Sequence, residues 1–293
     1  MAKRWNRTVV KRVLVILALT TLISAGMFSC SLYMQEKAKE YVDMSDAKMI
    51  QIDPVQPGDP IAIVHTTMGD ITAELYPEQA PKYVEQFTKL AQEGYYDNTY
   101  VYQIQKGVYF DAGGSDAVGS LKDTNYEKVP KESSSSLWPL RGAFCAPTTS
   151  SDTSLWKRIN GTVQQYCGTR FLVCNTVVFD GSMKQDLEDI SDNAKMVTDA
   201  FLQYGGIPNY SQQMTVFAQA FGEESFAVID AITEAETQKK NSASYTPPVE
   251  DILITGIEIT TYEGPELKQP IPDAPESVMQ QTESTESSTT ATK

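Results

Sequence analysis

Residues 61–76 read Ile-Ala-Ile-Val-His-Thr-Thr-Met-Gly-Asp-Ile-Thr-Ala-Glu-Leu-Tyr, and the chain runs on through Pro-Glu-Gln-Ala-Pro and a short helix to Gly94-Tyr95-Tyr96-Asp97-Asn98-Thr99, a second strand and Gly113-Gly114. Ile61–Thr66 and Ile71–Tyr76 flank Thr67-Met68-Gly69-Asp70, and Met-Gly-Asp reads as a hairpin turn. Ile71, Ala73 and Leu75 alternate with polar residues, as a half-buried strand requires. Pro81 suits the first turn of a helix, because it lacks an N–H that would have no partner there. Val84, Phe87, Leu90 and Ala91 then fall on one helical face, with Gly94 beyond the end.

Working outward, Glu223–Ala235 carries Phe226, Ile229 and Ile232 at helical spacing. Ile252–Tyr262 reads as the last strand, with a bulge expected at Gly256. Leu187, Ile190, Ala194, Val197, Phe201 and Leu202 outline a further amphipathic helix packed on the main domain. Strands at both ends with helices between them suit an α+β domain, of which a closed barrel is one option.

The ordered string from Ile61 to Gly114 resembles the opening of a cyclophilin-type peptidyl-prolyl isomerase domain. Further pieces are similar to the same family: Arg141-Gly142-Ala143-Phe144, Gly168-Thr169-Arg170-Phe171-Leu172-Val173, and Gly205-Gly206-Ile207-Pro208 followed by Met214-Thr215-Val216-Phe217. Pro248–Ile252 leads into the closing strand. The resemblance covers about residues 60–262, interrupted near Thr148–Tyr166 and Asn175–Tyr204. It implies a mostly β, closed antiparallel barrel capped by two helices, with an extra helical insertion.

The activity so implied is rotation of X-Pro bonds, which needs a cation beside the proline nitrogen and an apolar pocket, but no cofactor and no metal. In the family an arginine of a Phe-His-Arg strand is that cation; here the strand reads Val101-Tyr102-Gln103, which puts Gln103 in its place. Val108 replaces a pocket Phe and Tyr109 follows it. Asp111, or Ala112 with a one-residue shift, replaces the Gln that holds the arginine. Leu172 stands for another pocket Phe, Met214 for a His, and Phe171 and Phe217 complete the expected groove. Arg170 takes the place of a groove Gln, where it is either a second-strand donor facing Asp111 or a surface ion pair. Weak isomerase activity and non-catalytic peptide binding are therefore both open. Gly113-Gly114 needs no phosphate, and a lone Gly pair is a weak nucleotide signal.

The formal charge is -14, which argues against nucleic acid and its need for a basic footprint. The expected partners are proline-containing peptide or protein segments, and a monomer is expected. Five basic residues between Lys3 and Arg12 precede a charge-free run of 22 residues, Val13–Met34. Met27-Phe28-Ser29-Cys30 resembles a lipoprotein cleavage box with Cys30 as the lipidated residue; an uncleaved anchor is the alternative. Both readings tether the domain to a membrane through its N-terminus, outside the cytoplasm.

The expected organisation is a targeting segment at 1–30, a linker at 31–59, the domain at 60–263 and a disordered Pro- then Ser/Thr/Glu-rich tail at 264–293. The single His65 and the cysteine spacing speak against a metal site. The family resemblance puts Cys145 and Cys174 on neighbouring strands, so they are the expected disulfide if one forms; three buried reduced thiols, Cys167 included, are the alternative.

Overall fold

Apolar residues at every second position must share one face of a strand, and closing eight such strands on themselves hides that face completely. The computed structural model does this. It describes residues 48–122, 126–150, 163–179, 185, 194–240 and 243–275. All of these but Ser150, Val163 and Gln164 belong to one compact unit.

In chain order the elements are β1 (Pro60–Thr66), β2 (Gly69–Leu75), α1 (Pro81–Gln92), β3 (Thr99–Gln105), β4 (Tyr109–Gly114), β5 (Val129–Pro130), β6 (Ala143–Ala146), β7 (Thr148–Ser150), β8 (Gln165–Cys167), β9 (Phe171–Cys174), α2 (Lys195–Tyr204), β10 (Thr215–Ala220), α3 (Glu223–Glu234) and β11 (Leu253–Thr261). Eight of the strands close into a barrel in the order β1-β11-β3-β4-β9-β6-β10-β2, and β5, β8 and β7 form a small separate sheet. The expected closed antiparallel barrel is therefore what the chain forms.

The β1–β2 hairpin pairs Ile61 with Glu74 and Thr66 with Gly69, so the turn is tighter than the four residues expected from sequence. Gly69 sits at φ +129, and a Cβ there would lie 2.7 Å from Val228 of α3. Glycine is thus required both by the backbone and by the helix above it. His65 pairs with Asp70 at 2.9 Å across this hairpin, away from β3, β4 and β9. On β11 the register shifts where His65 faces Gly256 and Thr66 faces Ile254, at the glycine where the bulge is expected.

Helix α1 buries Tyr83, Val84, Phe87, Leu90 and Ala91 and lies against β11 and β10. Gly94, at φ +67, ends it, with its N–H donating to Ala91 O and the Tyr95 N–H to Leu90 O. Helix α3 buries Phe226, Ile229 and Ile232 against β2, β3 and β4. Helix α2 buries Val197, Ala200 and Phe201 in the main core; Leu187 and Ile190, expected on the same helix, lie outside the described residues.

Inside the barrel, Phe87 of α1 meets Phe171, Phe217 and Tyr96 at ring-centroid distances of 5.8, 5.0 and 5.3 Å, and Phe144 stacks on Phe171 at 5.6 Å. Phe171 and Phe217, expected to line the groove, are instead barrel-interior residues. Strand alternation is the reason: Leu172 and Val216 take the outward positions beside them.

Both domain boundaries differ from the sequence expectation. The supposed spacer before residue 60 contributes Met49 and Val55 to buried clusters. Its Gln51 is 1% exposed, donates to Trp138 O and Gln219 Oε1 at 2.8 Å each, and accepts from Trp138 N–H at 2.6 Å. After residue 263 the chain stays packed: Val55 and Leu267 bridge, Gly222 N–H donates to Pro270 O, and Ile271 is fully buried. Polar, Pro-rich composition predicts no core there, but a few apolar residues and one amide suffice to fasten each flank.

Replacing Gln51 by Ala strands the Trp138 N–H and the Gln219 carboxamide. Unfolding in urea should show a loss of about 2–4 kcal/mol; a change under about 0.5 kcal/mol would mean that this segment is not part of the cooperative unit.

Candidate functional site

With Phe110 and Ala112 in the barrel core, Tyr109 and Asp111 must point outward from β4. Of Asp111 and Ala112, Asp111 therefore faces outward and Ala112 lies in the core. On β9, Phe171 and Val173 point in, so Leu172 and Cys174 point out, with Arg170 two residues ahead of Leu172. Asp111 pairs with Leu172 and Tyr109 with Cys174. On β3, Gln103 faces Asp111, and the register skips Tyr102 between Val101 and Gln103. That bulge lets Tyr102 and its neighbour Gln103 both serve the outer face.

These outward residues form one surface. Its apolar floor is the cluster Tyr76, Leu137, Ala143, Cys145, Leu172, Cys174, Ile207 and Val216, edged by the half-buried Val108, Tyr109, Tyr210 and Met214. Val108, Leu172 and Met214, expected to shape a pocket, are brought together by the fold.

The polar groups divide into two sets. Gln103 donates from Nε2 to the Tyr109 hydroxyl at 2.9 Å, and the Tyr109 ring lies 5.9 Å from that of Tyr210. Arg170 stands on the other side of Asp111. Its guanidinium lies over the Tyr102 ring at 5.3 Å, and Nη1 donates to Gly119 O at 2.6 Å and to the Tyr245 hydroxyl at 3.5 Å. Tyr102 packs edge-on against Tyr245 at 4.9 Å. Gly114 and Gly119 bring the backbone close enough for this: a Cβ on either would fall within 3.0 Å of the Tyr102 ring. Gly114 and Gly119 thus make room for the Tyr102 ring.

Asp111 is the most perturbed carboxyl of this surface. Burial pushes it up from 3.8 to about 7, against the nearby charge of Arg170, which lowers it. Among the described residues no side chain hydrogen-bonds to it, and Arg170 acts through space. Burial also pushes the Tyr102 and Tyr210 hydroxyls upward, so both stay protonated donors at neutral pH. The arrangement can hold a small apolar ring against Val108, Leu172 and Met214 while presenting hydrogen-bond donors from two sides. Among the described residues no group of His, Cys, Asp or Glu is placed to hold a metal ion.

Tyr210 and Tyr245 were not found from sequence. Both come from connecting segments: Tyr210 from a 3-10 turn at Pro208–Tyr210, and Tyr245 from the segment whose Thr246 exchanges hydrogen bonds with Ile104. The expected lipidated Cys30 lies outside the described residues.

Residues 61–158 match the family model described as cyclophilin type peptidyl-prolyl cis-trans isomerase/CLD. A Streptococcus pyogenes protein provisionally named a bifunctional phosphatase/peptidyl-prolyl cis-trans isomerase is 31% identical over 210 residues, 71% of this chain and 40% of that protein. This chain thus spans less than half of that relative's length. A Staphylococcus aureus protein provisionally named a peptidyl-prolyl cis-trans isomerase is 27% identical over 70% of this chain and 94% of its own length. A solved Cryptosporidium parvum cyclophilin type peptidyl-prolyl cis-trans isomerase shares the fold with a TM-score of 0.50 at 17% identity, covering 70% of this chain and 99% of that one.

A carboxyl that binds its proton more tightly folded than unfolded makes stability fall as pH rises. For Asp111 that fall begins near its unfolded value of about 4 and is complete above about 7. Glu74, also pushed by burial to about 7, has the same sign. Urea unfolding at pH 5 and pH 8 should therefore show Asp111→Asn gaining stability relative to the parent at pH 8 and little at pH 5. An equal effect at both pH values would show that Asp111 titrates normally.

Proposed function

We propose that this chain is a member of the cyclophilin-type peptidyl-prolyl cis-trans isomerase family and turns X-Pro bonds of exported proteins slowly, with Arg170 supplying the cationic donor. Rotation must cross a barrier of roughly 18–20 kcal/mol because twisting removes amide resonance. At the twisted state the proline nitrogen becomes pyramidal and gains a lone pair. A donor that meets this lone pair stabilises the twisted form over both planar forms, and only such differential binding accelerates the reaction.

The observation that carries the reading is the position of Arg170. It precedes Leu172 by two residues on the outward face, beside a buried carboxyl and over an aromatic ring. One nitrogen, Nη1, is fastened to Gly119 O and the Tyr245 hydroxyl, and among the described residues Nε and Nη2 make no hydrogen bond to the protein. Gln103, at the position where the family's arginine would stand, already gives an N–H to Tyr109. A neutral donor there would contribute about half as much as a charged one. Ionised Asp111 orients the guanidinium; when protonated it does so less. Turnover should accordingly rise as pH passes about 7.

Val108, Leu172 and Met214 would receive the proline ring, and the flanking peptide would lie along the tyrosines. A second reading, a cyclophilin-fold module that binds proline-containing segments without turning them over, is favoured by the same engagement of Gln103. In either case the proposal puts the domain outside the cytoplasm as a monomer, held through the basic and apolar segment that ends near Cys30. Metabolic labelling with an alkyne fatty acid should mark the full chain, and Cys30→Ala should abolish the mark; a label that persists would exclude attachment at Cys30.

In a coupled isomerisation assay on proline peptides, Arg170→Ala should lower kcat/KM about tenfold to a hundredfold, the loss of a charged hydrogen bond at the transition state. Peptide affinity, followed by NMR shifts, should change less than about threefold. Unchanged turnover would remove Arg170 from the mechanism. A parent protein that binds peptide without accelerating rotation would establish the binding module instead.

A further inference from the structure

Two thiols belong to the apolar floor of the groove and have no part in bond rotation. Cys145 on β6 pairs with Leu172, and Cys174 at the end of β9 pairs with Tyr109. Both side chains are fully buried, and their sulfurs are 3.7 Å apart. A disulfide needs about 2.05 Å, so closure asks for an approach of about 1.7 Å between two atoms that already face each other. Cys167, by contrast, points away to Thr215 Oγ1 and Ala146 O.

The seam these thiols span is short. Strands β6 and β9 are joined by two residue pairs, Phe144 with Val173 and Cys145 with Leu172. Between them the chain leaves for the stretch 147–170, which includes the insertion and returns carrying Arg170 and Leu172. Only a few hydrogen bonds thus hold this side of the barrel closed around a long excursion. A covalent link at the seam would remove the entropy of that loop from the unfolded chain.

We propose that Cys145 and Cys174 form a disulfide, made by thiol–disulfide exchange before the barrel closes. The thiolate of one cysteine attacks a disulfide of the oxidant and forms a mixed disulfide, releasing the oxidant's first thiol. The second cysteine then attacks the protein sulfur of that mixed disulfide and releases the second thiol. Two electrons pass to the oxidant, and the two thiol protons end on its thiols. The oxidant is a small-molecule or protein disulfide. Exchange belongs to the folding chain because burial pushes the Cys174 thiol upward and shuts out any partner once the barrel is complete. This inference rests on the sulfurs and the seam, not on turnover in the groove.

The test refolds the full chain, reduced and denatured, in a buffer of glutathione and glutathione disulfide. Free thiols are blocked, and the protein is digested with trypsin without reduction. Cleavage after Arg141, Lys157, Arg158, Arg170 and Lys184 puts each cysteine of the domain in its own peptide. The expected product is peptide 142–157 joined to 171–184, about 2 Da lighter than the two together. Cys167 should be blocked in peptide 159–170. Reduction should lower Tm by roughly 5–15 °C in the parent, and by much less in Cys174→Ala. Recovery of 142–157 and 171–184 as separate blocked peptides would overturn the proposal, as would linkage of either to 159–170. Because the peptide map is read on the parent, a variant that fails to fold leaves the outcome decided.

Discussion

The inward row of aromatic rings is the constraint on which the rest depends. Phe144, Phe171 and Phe217 reach the barrel interior from three different strands; Phe171 and Phe217 meet Phe87 from the covering helix, and Phe144 packs on both of them. Each ring buries a large apolar area, and removing one would cost about 3–5 kcal/mol. A one-residue slip of any of these strands would turn its ring into solvent. Registers are therefore fixed from the inside, and every outward side chain inherits its place. The groove of Gln103, Asp111, Leu172 and Val216 is the outer image of that packing.

On that surface the polar chemistry has been redistributed rather than lost. The position from which a cyclophilin arginine would act holds an amide that is already bonded to a tyrosine hydroxyl. The Arg170 guanidinium comes from two strands further round, supported by Tyr102, Gly119 and Tyr245. Between them Asp111 is buried with no hydrogen-bonding side chain among the described residues, so its charge is costly and its proton is held to about pH 7. A carboxyl in such a position links the electrostatics of the groove to pH as no residue of the apolar floor can.

The flanks obey a different economy. Gln51 closes over Trp138 and Gln219 by hydrogen bonds, and Leu267 and Ile271 return the C-terminal segment to the barrel. None of this resembles a core in sequence, because one buried amide and two aliphatic side chains are too sparse to make a periodic pattern. A buried polar group that is fully bonded still strongly opposes unfolding, since its partners would be left bare if it were removed alone.

The sequence by itself determined the barrel: alternation in Ile71–Leu75, the helix opened by Pro81 and the closing strand near Gly256 are local patterns, and the family resemblance joined them into one topology. It also named Gln103, Val108, Leu172 and Met214 as groove candidates, because each is defined by its place within or just before a single strand. What only the tertiary structure decided was which neighbours across strands come together. Phe171 and Phe217 turn inward because period-two alternation leaves one face to each residue, and adjacent motif positions cannot both face the groove. Tyr210 and Tyr245 join the site from connecting segments that no strand pattern governs. The closeness of Arg170 to Asp111, and of Cys145 to Cys174, depends on the register between separate strands, which is set by packing across the barrel and is not written in either strand alone.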